Sequence, residues 1–213
     1  MEGNKYLFLA RQARAEANSE DAKLYYGKLR EDEPENAEAK FFYAYYSMYE
    51  GKNGELPTRY TNLCKSALSS VRMVNISSAP ESEQLATIHE IVSAFVPEAW
   101  SLNRYMNAKN RETKVGDSYV KVFETSAISL CIKEGLNATR NLGDEIVKLY
   151  PDNDEAAKIA VIAWKEYVSL AQNWYAYAPK GDAEVYAGKI KEYDPAYEIP
   201  KKAGCISFGD AKK

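Results

Sequence analysis

Apolar side chains recur every third or fourth position along this chain, and sustained alternation of apolar and polar residues is absent. Spacing near 3.6 lines one face of an α-helix, whereas a half-buried strand needs spacing of two. The pattern excludes a large sheet and predicts an all-α protein. Residues 4–17 carry Tyr6, Leu9, Ala10, Ala13 and Ala17 on one face. Asn18-Ser19 gives a turn and capping signal. Residues 20–32 repeat the pattern with Ala22, Tyr25, Tyr26 and Leu29, until Pro34, which cannot donate a ladder bond, stops the helix. Residues 37–50 carry Ala39, Phe42, Tyr43, Tyr46 and Tyr49. After the loop Gly51-Lys52-Asn53-Gly54 and Pro57, a fourth helix lines up Tyr60, Leu63, Cys64, Ala67, Leu68, Val71 and Val74.

The second half predicts four more helices. Ser78-Ala79-Pro80-Glu81 reads as a capping box, and the following helix carries Leu85, Ile88, Val92, Phe95, Ala99, Leu102 and Met106. Pro97 inside it predicts a kink. A sixth helix starts near Asp117 with Val120, Phe123, Ala127, Leu130 and Cys131, and continues with Leu142, Ile146 and Leu149. Whether Gly135 to Gly143 interrupts it stays open, since an unbroken helix would span about 50 Å. Pro151 and the acids from Asp152 to Glu155 mark the next start, negative charge suiting a helix N-terminus. Residues 155–178 are apolar on nearly every face, so that helix is predicted to be central to the C-terminal half. Pro179-Lys180-Gly181 ends it, Asp182 is placed to cap a last helix over 183–193, and residues 196–213 read as a loose tail.

Composition narrows the function classes. Among 213 residues, 46% are hydrophobic and 28% charged, enough to bury a core. The net charge of −3 gives no general attraction to nucleic acid or anionic lipid. The clusters Lys109-Asn110-Arg111 and Lys201-Lys202 are short and read as solvated helix ends and tail. Three widely spaced cysteines, Cys64, Cys131 and Cys205, make neither a disulfide framework nor a Cys-x-x-Cys metal site. No apolar run is long enough to span a bilayer, and the start lacks the features of a signal peptide. A cytoplasmic location is the expectation.

The first 50 residues resemble a tetratricopeptide repeat. The matching series is Tyr6, Leu9, Ala10, Ala13, Ala22, Tyr26, Leu29 and Pro34, and a step of the family's period reaches Lys40, Tyr43, Ala44 and Ser47. The junction Pro34-Glu35-Asn36-Ala37-Glu38-Ala39 is of the same kind. The small Ala10 and Ala22 let paired helices approach closely. Tyr186 to Pro195 is similar to the end of a repeat's second helix, and also resembles bacterial proteins that append such units to a zinc ribbon or membrane anchor. The resemblance implies that the first helix of each pair lines a concave surface. On that surface it places Leu7, Phe8, Arg11 and Arg14 from the first repeat, and Phe41, Phe42, Tyr45, Met48 and Tyr49 from the second. Leu7, Arg11 and Tyr45 stand where the family's carboxylate clamp uses lysine and asparagine, so the resemblance does not carry that clamp over.

Chemistry is sparse. His89, the single histidine, is followed by Glu90 but by no second histidine four residues on, and neither a phosphate loop nor a nucleophile elbow is present. The acidic runs Glu31-Asp32-Glu33 and Asp152 to Glu155 read as solvating and capping groups. The sequence therefore predicts tetratricopeptide-like hairpins over 1–76, a helical bundle over 77–195 and a tail over 196–213. The expected function is non-enzymatic binding of a protein or peptide partner on an aromatic surface, with no cofactor, metal, nucleic acid or membrane. The alternative is a small-ligand sensor or enzyme with a pocket of Trp164, Tyr167, Trp174, Tyr175 and Tyr177.

Overall fold

A computed structural model describes residues 2–112, 114–115, 118–119, 124–174 and 176–200. Among these, nine α-helices succeed one another: α1 (Glu2–Ala15), α2 (Ser19–Asp32), α3 (Ala37–Ser47), α4 (Leu56–Asn75), α5 (Glu81–Phe95), α6 (Glu98–Glu112), α7 (Thr125–Leu149), α8 (Asp154–Asn173) and α9 (Asp182–Tyr193). One 3₁₀ turn, Asn53–Glu55, precedes α4. Between α6 and α7 two-residue strands, β1 (Lys114–Val115) and β2 (Ser118–Tyr119), pair antiparallel. The all-α class holds.

The first four helices stack in chain order, each packing on the next. Ala10 and Ala22 are both fully buried, as expected of small residues between closely packed helices. Asn18, Asn36 and Asn153 cap α2, α3 and α8, each side-chain oxygen accepting from the backbone N–H three residues on. From α4 the chain turns inward. α4 packs on α7, α7 on α8, and α8 on α9, while α5 touches α3, α4 and α8. One continuous core runs from Ala10 to Ile190. All three tryptophans stand beyond residue 99: Trp100 in α6, Trp164 in α8 and Trp174 just after it. Trp164 packs edge-on against Tyr186, with ring centroids 6.2 Å apart.

Several expectations need correction. Pro97 ends one helix and begins another, so eight helices become nine. α5 stops at Phe95, and the Pro97 carbonyl accepts from Ser101 N–H at the start of α6, where a missing proline N–H costs nothing. The Ser78–Glu81 capping box does not form. Instead Gln84 Nε2 donates to the Ser77 and Ala79 carbonyls at 3.1 and 2.9 Å. Asp182 is the first residue of α9 and not its cap, because its carboxylate takes hydrogen bonds from Tyr167 and Arg140. Helix α8 ends at Asn173, earlier than expected. Tyr197 and Ile199 pack against the core, so the loose segment does not begin at 196. The expected helix start near Asp117 is corrected: Ser118–Tyr119 is strand β2, and α7 begins only at Thr125, after Glu124. Val120 and Phe123 lie outside the described residues, as do Cys205, Lys201-Lys202 and the rest of the tail.

The open question at Gly135 to Gly143 resolves as one unbroken helix, α7. Both glycines are sites of close approach and not breaks. A Cβ at Gly135 would stand 2.6 Å from the Tyr60 hydroxyl of α4, and one at Gly143 would stand 2.3 Å from Trp164 Nε1 of α8. Overpacking costs about 1–3 kcal/mol, and removing glycine from a helix interior returns about 1. Gly143→Ala is therefore expected to lose a net ~1 kcal/mol by denaturant melting. A stabilised variant would show that the indole moves aside freely.

Candidate functional site

A cleft of about 920 Å³ lies between α1, the α2–α3 junction, the end of α4 and α5. Its α1 wall is Leu7, Arg11 and Arg14, spaced four and three so that one helical face carries all of them. Its α5 wall uses Glu83, Thr87 and Glu90 in the same spacing. Met73 and Val74 end α4 against an apolar part of the wall that includes Ala37 and Ala86. Gln84 holds the α4–α5 link in place, and its Oε1 accepts from Tyr150 Oη at 2.7 Å, which ties the link to the end of α7.

The centre of the cleft is a carboxylate. Glu38 is 4% exposed, at the second position of α3, where the positive end of the helix favours it. Arg11 donates through Nε at 3.1 Å and through Nη2 at 2.6 Å, and Tyr26 Oη donates at 2.7 Å. The hydrogen bond to Glu38 holds the Arg11 guanidinium above its ordinary pKa. Burial, with Glu38 beside it, pushes the Tyr26 phenol well up, so it stays a donor at any ordinary pH. Arg14 reaches the other wall. Its Nη2 donates to Glu90 at 2.6 Å, its guanidinium carbon sits 4.2 Å over the Phe42 ring, and its Nη1 is 3.7 Å from Glu38. Buried Nη1 has no hydrogen-bond partner.

The lining holds two arginines against five glutamates: Glu33, Glu35, Glu38, Glu83 and Glu90. Arg11 answers Glu38 and Arg14 answers Glu90. Among the described residues no cation pairs with Glu33, Glu35 or Glu83, so the rim keeps uncompensated negative charge on both banks.

The sequence-predicted groove residues separate into two groups. Leu7, Arg11 and Arg14 line the cleft. Phe8 is 67% exposed and does not line it. Phe41, Phe42 and Met48 are buried, which corrects their placement on an open surface. The eleven-residue α3 is so aromatic that its rings pack on both sides: Phe42 stacks on Tyr26 at 5.2 Å and meets Phe41 edge-on at 4.9 Å. Tyr45 is half-buried. Tyr49 is 46% exposed, yet its hydroxyl donates to Glu98 at 2.9 Å and its ring packs against Tyr105. Burial pushes the Tyr45 phenol up to about 12, with Glu98 adding to it. Those two tyrosines fasten the end of α3 to α6.

The C-terminal pocket is filled. Trp164 and Tyr167 are buried, Trp174 and Tyr177 are half-buried, and Tyr175 lies outside the described residues. Tyr177 Oη is 2.9 Å from Ser129 Oγ. Cys64 and Cys131 are buried thiols, and burial pushes the Cys131 thiol up to about 12, far from thiolate chemistry at neutral pH. His89 is exposed, whereas both thiols are buried. Among the described residues no group of three or more His, Cys, Asp or Glu is placed to hold a metal ion, and no helix is long and apolar enough to cross a membrane.

Sequence reasoning missed Glu38, although a signal existed. Glu38, Phe41, Phe42 and Tyr45 share one helical face, so a carboxylate opens an otherwise aromatic stripe. A buried charge of this kind needs partners, and α1 supplies them.

Fold and cleft together define a helical protein with an acidic-rimmed groove between its first and fifth helices. No protein-family model, curated protein or solved structure matches the chain.

Proposed function

We propose that this chain is a protein-interaction module of tetratricopeptide-like build, not an enzyme, and that its α1–α5 cleft takes an extended peptide or helix bearing basic side chains. The observation that carries the reading is the cleft rim, where Glu33, Glu35 and Glu83 face an open groove without cationic partners. Such charge steers and selects a cationic partner more than it adds raw affinity. The volume of about 920 Å³ suits a short segment with its side chains. Apolar Leu7, Met73 and Val74 give that segment a surface to bury against. The repeat-like series from Tyr6 to Pro34, with Ala10 and Ala22 buried, supports the tetratricopeptide reading. The two free, buried cysteines accord with a cytoplasmic location, which belongs to the same proposal.

Selection from a peptide display library tests this. Enriched sequences should carry lysine or arginine, and Glu83→Lys should weaken the selected peptides about tenfold or more without changing the melting temperature. Enrichment of acidic peptides, or equal binding by the variant, would defeat the proposal.

A further inference from the structure

A second cleft, of about 760 Å³, lies between α2, α3 and α4 and has the opposite sign. We infer that it is a binding site for a compact polyanion of the phosphate class. Arg30 comes from α2, Lys40 from α3, and Arg59 and Lys65 from α4, and among the described residues no carboxylate lines the cleft. In a chain with 31 acidic residues and net charge −3, this convergence stands out. Like charges gathered in a concavity repel one another, and an anionic ligand removes that penalty.

Most of these cations have no carboxylate of their own. Among the described residues Lys40 Nζ reaches only the Met73 sulfur, at 3.4 Å, a weak acceptor that leaves its charge unanswered. The Arg30 guanidinium carbon lies 4.0 Å over the Tyr43 ring, which orients the fork without neutralising it. Neither Arg30 nor Lys65 forms an ion pair among the described residues. Arg59 differs. It is fixed by the Met48 and Lys52 carbonyls and by Glu55, outside the lining, so it shapes the wall and contributes less net charge.

Hydroxyl groups complete the chemistry. Ser47 Oγ is buried with no hydrogen-bond partner, and Ser66 and Ser69 line the cleft from α4, where the Ser69 hydroxyl donates to the Ser66 carbonyl at 3.2 Å. Guanidinium, ammonium and hydroxyl donors together match phosphoryl oxygens, which accept several charge-assisted bonds at once. A volume of about 760 Å³ is of the size that small ligands occupy. The site is separate from the acidic-rimmed cleft, although Pro34 lines both.

Calorimetric titration of the full chain with pyrophosphate, with inorganic phosphate and with a phosphoserine peptide tests the assignment. Pyrophosphate should bind more tightly than phosphate and weaken with added salt. The variant Lys40→Gln/Lys65→Gln should lose about tenfold or more in affinity. Lys148→Gln, at an exposed lysine outside the cleft, should bind as wild type does. The phosphoserine peptide binding more tightly than pyrophosphate supports the site with a modified protein as its source, and the reverse order supports it with a free phosphoanion. A footprint needs no variant: pyrophosphate should slow amine-reactive labelling of Lys40 and Lys65 and leave Lys148 unchanged. Absence of binding at millimolar pyrophosphate overturns the inference. So does undiminished binding by the folded double variant, labelling protection that spares both lysines, or tighter binding of an oligoribonucleotide than of pyrophosphate.

Discussion

Glu38→Ala is expected to destabilise the protein by about 3 kcal/mol, the low end of the cost of breaking a buried charged pair. The carboxylate accepts from Arg11 and Tyr26 and faces Arg14. Its loss leaves the Tyr26 hydroxyl buried without an acceptor and removes the carboxylate charge that faces Arg14, which is the expensive outcome for polar groups out of water. Arg11 is 51% exposed and can turn into solvent, which keeps the figure at the lower end. The contrast with Arg11→Ala is the informative part. That variant leaves Glu38 its bond from Tyr26, so it should cost only about 1 kcal/mol after allowance for screening. Equilibrium denaturation of both variants decides it. Equal losses would mean that Glu38 is better hydrated than its burial indicates.

The second large effect depends on pH. Glu166, on α8, has a buried Oε1 with no hydrogen-bond partner, and burial pushes its carboxyl up to about 7. A raised carboxyl holds its proton more tightly in the folded state than in the unfolded one. Its contribution is full below about 4.5 and fades as pH rises to about 7, because the unfolded chain gives up the proton first. The linked free energy is about 3 kcal/mol, and solvent near the partly exposed group lowers it to ~2. Glu166→Gln should therefore gain about 2 kcal/mol over wild type at pH 8 and little at pH 4.5. Comparing the two proteins at each pH cancels the titration of other carboxylates. A gain that does not change with pH would assign the effect to packing.

The helices are legible because periodicity is a one-dimensional property, and all but one of the breaks carry a proline or glycine sign. The exceptions share a cause. Pro97 announces a disturbance, but whether it kinks or divides a helix depends on the next residues, and here Glu98 and Ala99 start a new helix at once. Gly135 and Gly143 read as flexible points along the chain, whereas in space they admit Tyr60 and Trp164 from two neighbouring helices. The site divides the same way. Leu7, Arg11 and Arg14 follow from the spacing of one helix. The burial of Phe41, Phe42 and Met48 escapes the sequence because an aromatic stripe does not say which side meets a neighbour. The two phenylalanines are enclosed by Tyr26 of α2 and by one another. Both clefts depend on charges brought together from three or more elements, which no local window of sequence contains.

The placement of the three indole rings fixes what light can report about this molecule. Emission excited at the red edge originates wholly beyond residue 99, while the tyrosine-rich opening helices contribute nothing to it. Circular dichroism, by contrast, sums amide order over every helix. Wherever the two traces part during unfolding, the surroundings of the indoles and the helices as a whole have not lost their order together.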